Sequence, residues 1–192
     1  MPDPKDTLVT YLQSGRDAML WKLEGLGEYD VRRPLTRTGT NLLGLVKHLA
    51  SIELGYFGET FGRPHGVPLP WFEPDAEINA DMWVPPEESR ESVVGLYHRA
   101  WEHAAGTFAV SELDTEGRVP WWPADEPAVT LHRILVHVTA ETHRHAGHAD
   151  IVRELVDGAA GRRADDPNLD DGFDWPGYVA RVEEGARRAE GA

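Results

Sequence analysis

The densest run of ligand-forming side chains in this 192-residue sequence lies between His132 and His148, which holds five of its nine histidines. Within it Glu141 and His145 stand four apart, a spacing that sets two side chains on one face of an α-helix. On a helical wheel Leu131, Ile134, Val138, Ala149, Val152 and Leu155 share the arc expected to be buried. Glu141, His145 and His148 fall inside that arc, His137 at its edge, while His132 and His143 point towards solvent. A carboxylate aimed at an apolar interior needs a partner, because burying it unpaired is costly. A cation is the simplest partner, and two His with one carboxylate leave coordination positions open, as catalytic metal sites do. The third ligand must come from another helix. His48, flanked on its own wheel by Leu45, Ile52 and Tyr56, leads the candidates, ahead of His98, His103 and His65. Two alternatives stay open on these grounds. Glu141 could pair with His145 or His48 as a buried ion pair without metal, and His137 and His148 could each be an outer hydrogen-bond partner or an alternate ligand.

Four long segments with helical periodicity must position these groups. The first runs from about Asp6 to Leu26, with Leu8, Leu12, Met19, Leu23 and Leu26 on one face. The second is expected from a Thr40 N-cap to about Phe61, and the third from Pro86-Glu87 to about Ala109. The fourth and longest runs from about Val129 to Val156, with Gly158 as its stop. Between the second and third lies a stretch from Gly62 to Pro86 with six prolines, Trp71, Phe72 and Trp83, which reads as an ordered loop. Another loop, carrying Trp121 and Trp122, joins the third to the fourth. Trp83, Trp121 and Trp122 are candidate pocket walls if both loops cover one end of the bundle. No segment shows strand alternation. The expected architecture is all-α, a four-helix bundle over residues 1–160 with long inter-helix loops. A polar C-terminal tail, 161–192, carries a short helix from Gly177 to about Ala189. Its acidic run Asp165, Asp166, Asp170 and Asp171 lacks the spacing of a calcium loop and reads as solvated.

Composition narrows the chemistry. With 33 Asp plus Glu against 19 Lys plus Arg, the net charge of -14 disfavours nucleic acid and anionic membrane surfaces as partners. No apolar run approaches the ~18 residues of a spanning helix, and the Met-Pro-Asp-Pro-Lys-Asp start lacks the features of a signal peptide, so a cytoplasmic protein is expected. The sequence has no cysteine, which rules out a disulfide scaffold, a thiolate metal site and a cysteine nucleophile. There is no glycine-rich phosphate loop, H-E-x-x-H or G-x-S-x-G pattern.

The run Glu141-Thr142-His143-Arg144-His145-Ala146-Gly147-His148-Ala149-Asp150-Ile151-Val152-Arg153-Glu154-Leu155 resembles the last-helix signature of the DinB/YfiT-like metalloenzymes, and more narrowly the actinobacterial branch that includes the mini-circle proteins. Asn41-Leu42-Leu43-Gly44-Leu45-Val46-Lys47-His48-Leu49 resembles that branch's second-helix motif, and the segment from Met19 to Leu26 fits its start. The resemblance covers most of residues 5–160. It implies a DinB-like four-helix bundle, often a homodimer, with a divalent metal on three side chains, here His48, Glu141 and His145. Many members carry His where this chain has Glu141; the thiol-dependent maleylpyruvate isomerase type is similar in having Glu. His148 sits where Gln is common and is assigned an outer position. The superfamily's enzymes use mycothiol, bacillithiol or glutathione. The resemblance therefore implies a metal-dependent thiol S-transferase acting on a small electrophile, with mycothiol as cosubstrate and zinc as the leading metal ahead of nickel or iron. A metal with open positions could lower the pKa of an incoming thiol. His148, His137 or a metal-bound water could then act as general base, with His148 taken as the catalytic residue, and Arg144 is either a contact for an anionic thiol or substrate or a surface charge at the helix edge. The alternatives are a metal-dependent hydrolase on the same ligands and a non-catalytic metal-binding or stress-response bundle.

Overall fold

The computed structural model describes residues 3–167, 169–170 and 172–190. Asp3 caps the first helix, α1 (Pro4–Trp21), by accepting hydrogen bonds from the Lys5 and Asp6 backbone N–H groups. A one-turn helix follows, α2 (Glu28–Arg32), too short for hydrophobic periodicity to announce it. The next helix, α3 (Leu42–Phe57), is capped by Asn41 rather than Thr40, the Asn41 side-chain Oδ1 accepting from the Gly44 N–H at 2.8 Å. Ser89 caps α4 (Arg90–Val110), so that helix starts later than Pro86, which lies in the preceding turn. The longest helix, α5 (Leu131–Asp157), begins at a Thr130 cap and stops where Gly158 turns left-handed at φ 79°. Two-residue strands, β1 (Glu116–Gly117) and β2 (Val129–Thr130), pair antiparallel just before α5. They are too short to leave an alternating pattern in the sequence. The tail carries α6 (Trp175–Glu190), which has no buried residue among those described.

The architecture is the expected helical bundle. α5 packs against both α1 and α3, and α3 also packs against α4. The core forms two apolar clusters. One gathers Leu42, Leu45, Leu49, Tyr97, Ala146, Ala149 and Val152; the other Leu12, Phe57, Phe108, Ile134, Leu135 and Val138. Each fully buried Leu contributes roughly 1.5–3 kcal/mol relative to exposure. Along α5 the clusters leave a gap between Val138 and Ala146, and Glu141, Thr142 and His145 occupy it. A buried ion pair, Arg16–Glu53 at 2.5 Å, ties α1 to α3.

One expectation for α5 needs correcting. Leu155, placed in the buried arc, is 62% exposed, whereas Leu135, Thr142 and Arg153 are buried. α5 is covered by α1 as well as α3, so the centre of its buried face is rotated away from the stripe 141–148–155. That rotation leaves Glu141 half-buried and His148 exposed.

The long loop from 58 to 89 is pinned along α3. Asn41 donates from Nδ2 to the Met82 carbonyl at 3.1 Å. Lys47, buried beside the Trp71 ring, donates to the Trp83 carbonyl at 3.2 Å and to Glu88 at 3.0 Å. From α2, Arg32 donates to the Val84, Pro85 and Glu88 carbonyls. Gly44 is what lets the loop lie this close, since a Cβ there would overlap the Met82 carbonyl. No helix among the described residues is long and apolar enough to cross a membrane. In the tail, Arg163 pairs with Asp165 and Asp166. Asp171 lies outside the described residues, as do Met1 and Pro2.

Candidate functional site

In the gap between the two apolar clusters, α3 contributes His48 and α5 contributes Glu141 and His145. One donor atom from each lies within 4.8 Å of the other two. His145 Nε2 is 3.0 Å and His48 Nε2 3.8 Å from Glu141 Oε1, and the two imidazole rings meet edge-on with centroids 4.9 Å apart. His145 is buried; His48 and Glu141 are half-buried, so the cluster opens to one side. Burial, then the neighbouring His48, hold the His145 pKa below the ordinary imidazole value against the opposing pull of Glu141. Its imidazole is therefore neutral at physiological pH, the form that binds a metal.

Sequence reasoning missed Asp81. The carboxylate of this loop residue lies 2.6 Å from His48 Nδ1, the ring nitrogen opposite the cluster. Burial alone would raise the Asp81 pKa, but the hydrogen bond and charge of His48 outweigh it and hold the carboxyl below its usual value. A carboxylate behind a histidine fixes the tautomer and leaves Nε2 free with its lone pair towards the cluster, the usual support for a ligating imidazole. The partners are 33 residues apart in sequence, and a single Asp in a proline-rich loop carries no periodic signal.

The other candidate residues fall outside the cluster. His148 is exposed, with its Nδ1 3.4 Å from His145 Nδ1. Arg144 is exposed on the flank of α5. His137 packs edge-on against Tyr56 at 4.8 Å and Trp122 at 5.7 Å. His143 lies 3.0 Å from the Tyr11 carbonyl through Nε2, and His132 is exposed. His98 meets Trp101 edge-on; His103 Nε2 is 2.8 Å from the Arg63 carbonyl, and His65 Nδ1 accepts from the Val67 N–H. All three are engaged away from Glu141.

His48, Glu141 and His145 fit a divalent ion: two imidazole nitrogens and one carboxylate oxygen, drawn from two rigid helices, with the outer nitrogen of His48 already engaged. The sequence model of the mycothiol-S-transferase family matches residues 7–158, a span that includes all but the first turn of α1, the whole of α2 to α5 and all three donors. The chain belongs to that family. No curated protein matches it. The matched span stops at the glycine that ends α5, and the tail with α6 lies beyond it.

Proposed function

We propose that the protein is a divalent-metal-dependent thiol S-transferase that joins mycothiol to a small electrophile, with His48, Glu141 and His145 as the metal ligands. The observation that carries this reading is the convergence of those three donors within 4.8 Å in a chain of the mycothiol-S-transferase family. Zinc is the leading metal for two nitrogens and one oxygen, with nickel and ferrous iron as the alternatives. A divalent ion held there would supply a Lewis-acid centre that favours the thiolate form of a bound thiol at neutral pH.

The chain's own residues set the conditions. Asp81 holds His48 by Nδ1, which directs Nε2 to the cluster. Glu141 faces both imidazoles, 3.0 Å from His145 Nε2 and 3.8 Å from His48 Nε2, and its charge would balance part of an ion's. His148 stands at the exposed side against the outer nitrogen of His145, where it can take up the proton a thiol gives up and release it to solvent. Arg144 is the one cation that α5 carries between Glu141 and His148, and we assign it to anionic groups of the thiol or substrate. With no cysteine in the chain, the sulfur nucleophile must come from outside. The reading carries with it a cytoplasmic setting and a homodimeric state, which light scattering checks.

The test combines metal content with turnover. Protein loaded with zinc, nickel or iron should conjugate mycothiol to monochlorobimane, and chelation should abolish the rate. His48→Ala, Glu141→Ala and His145→Ala should lose metal by elemental analysis, whereas His132→Ala should retain it. Equal metal in all four variants would remove these residues as ligands. A rate unaffected by metal or by omitting thiol would remove the transferase reading.

A further inference from the structure

A cavity of about 450 Å³ lies between α3 and the two long loops, lined by Ile52, Gly55, Tyr56, Leu69, Phe72 and Trp121, with Ser51 at its edge. It continues the face of α3 that carries His48: Ile52 is one turn further along, and Tyr56 one turn beyond that. From the opposite helix, His137 packs on Tyr56 and stands one turn before Glu141. Cavity and donor cluster therefore lie along one face of α3, about a helical turn apart, with His137 of α5 packed on the Tyr56 wall between them.

The lining decides what the cavity can hold. Its side walls are aromatic and aliphatic, and both hydroxyls already hold a partner, Ser51 as donor and acceptor and Tyr56 as acceptor. Ser51 Oγ donates to the Lys47 carbonyl at 2.7 Å and accepts from Trp71 Nε1 at 2.9 Å. Tyr56 Oη accepts from Trp122 Nε1 at 3.3 Å. None of the lining residues carries a charge. A sugar-bearing thiol, rich in hydroxyls, would lose its water here and find little in return. An apolar ring loses nothing by entering and gains aromatic contact. The volume falls in the range of small-molecule sites. Space is kept open by Gly55, where a Cβ would come within 2.8 Å of the Trp121 ring edge.

We propose that this cavity binds the electrophilic substrate, and that the class it selects is a neutral, planar, apolar ring system, with the thiol approaching from the open side of the donor cluster. The inference rests on the S-transferase reading above. In the reaction it implies, the thiol gives its proton to a base and its sulfur forms a C–S bond to an electrophilic carbon beside the ring. A halide leaves with the electron pair of the bond that breaks. Trp121, Phe72 and Leu69 set which rings are accepted.

Binding and kinetics test it separately. syn-(Methyl,methyl)bimane, the unreactive parent of monochlorobimane, should bind the metal-loaded protein in equilibrium dialysis and quench tryptophan fluorescence. Trp121→Ala, a change at a half-exposed loop residue that leaves the core intact, should weaken that binding and raise the KM for monochlorobimane about tenfold, the loss expected of one aromatic contact. The KM for mycothiol should stay within about twofold. Gly55→Leu, which fills the cavity, should do the same, while Trp83→Ala, beside Thr38 and Asn79 in a different depression, should not. Chloroacetamide, a small polar electrophile, should react equally with wild type and Trp121→Ala. An unchanged bimane affinity in both cavity variants, or a shift in the thiol KM instead of the monochlorobimane KM, overturns the proposal. Bimane binding that responds to the cavity variants, without conjugation by any thiol, would uphold the cavity as a ring site and sink the transferase reading alone.

Discussion

His48 is held from behind by a residue of the loop rather than by its own helix. Replacing Asp81 with Asn keeps the size of the side chain but removes the charge that fixes the imidazole. The expected outcome is a metal affinity roughly 10–100-fold weaker, measured by chelator competition, with the helical circular-dichroism signal unchanged. His145 shows a second effect at this scale. Burial and the neighbouring His48 depress its pKa, so near and below about pH 6.5 the unfolded chain binds a proton that the folded chain does not. Stability of the metal-free protein should rise with pH through that range and be lost as the pH falls below it. Asp81 works in a lower window: its carboxyl is held below the usual value, so its contribution is present above about pH 3.9 and fades only on further acidification. Melting curves of the metal-free protein between about pH 8 and pH 5 should therefore show a decline that is smaller in His145→Asn. Equal slopes would assign the titration elsewhere.

At the scale of elements, the loop from 58 to 89 matters as much as any helix. Its seat on α3 depends on Gly44 having no side chain. Gly44→Ala should push the Met82 segment off α3, lower stability by about 1–3 kcal/mol and weaken metal binding through the displaced Asp81. Gly147→Ala, on the exposed face of α5 with nothing within reach of a new Cβ, should instead stabilise by up to about 1 kcal/mol. Denaturant midpoints and metal titration of the two variants check both directions. The contrast also explains what was legible in the sequence. α1, α3, α4 and α5 repeat apolar residues at helical spacing, so their existence could be read, as could the face shared by Glu141 and His145. Asp81 could not, because it reaches His48 through loop geometry and follows no period. The exposure of Leu155 and His148 escaped for a related reason: a wheel orders residues around one helix but does not say how many neighbours cover it.

At the scale of the molecule, the donor cluster lies within the bundle, and the tail is joined to it lightly. α6 buries none of its described residues, whereas Lys22 reaches the Gly161 carbonyl at the start of the tail. Ending the chain after residue 170 should leave the melting temperature within about 1 °C of the full chain, below the roughly 2–4 °C that 1 kcal/mol produces at this size, and leave metal content unchanged. A larger drop would show that α6 contributes to the bundle. The loop between α3 and α4 has a further consequence for how such a protein can change over generations. Its later part, Asp81 to Glu88, is fastened to His48 and to α2, while its earlier part supplies Leu69 and Phe72 to the rim of the cavity. Substitutions in the earlier part can alter which molecules are admitted without disturbing the fastened part. A lineage built on this plan can therefore vary its cavity one rim residue at a time while the carboxylate behind His48 is inherited intact.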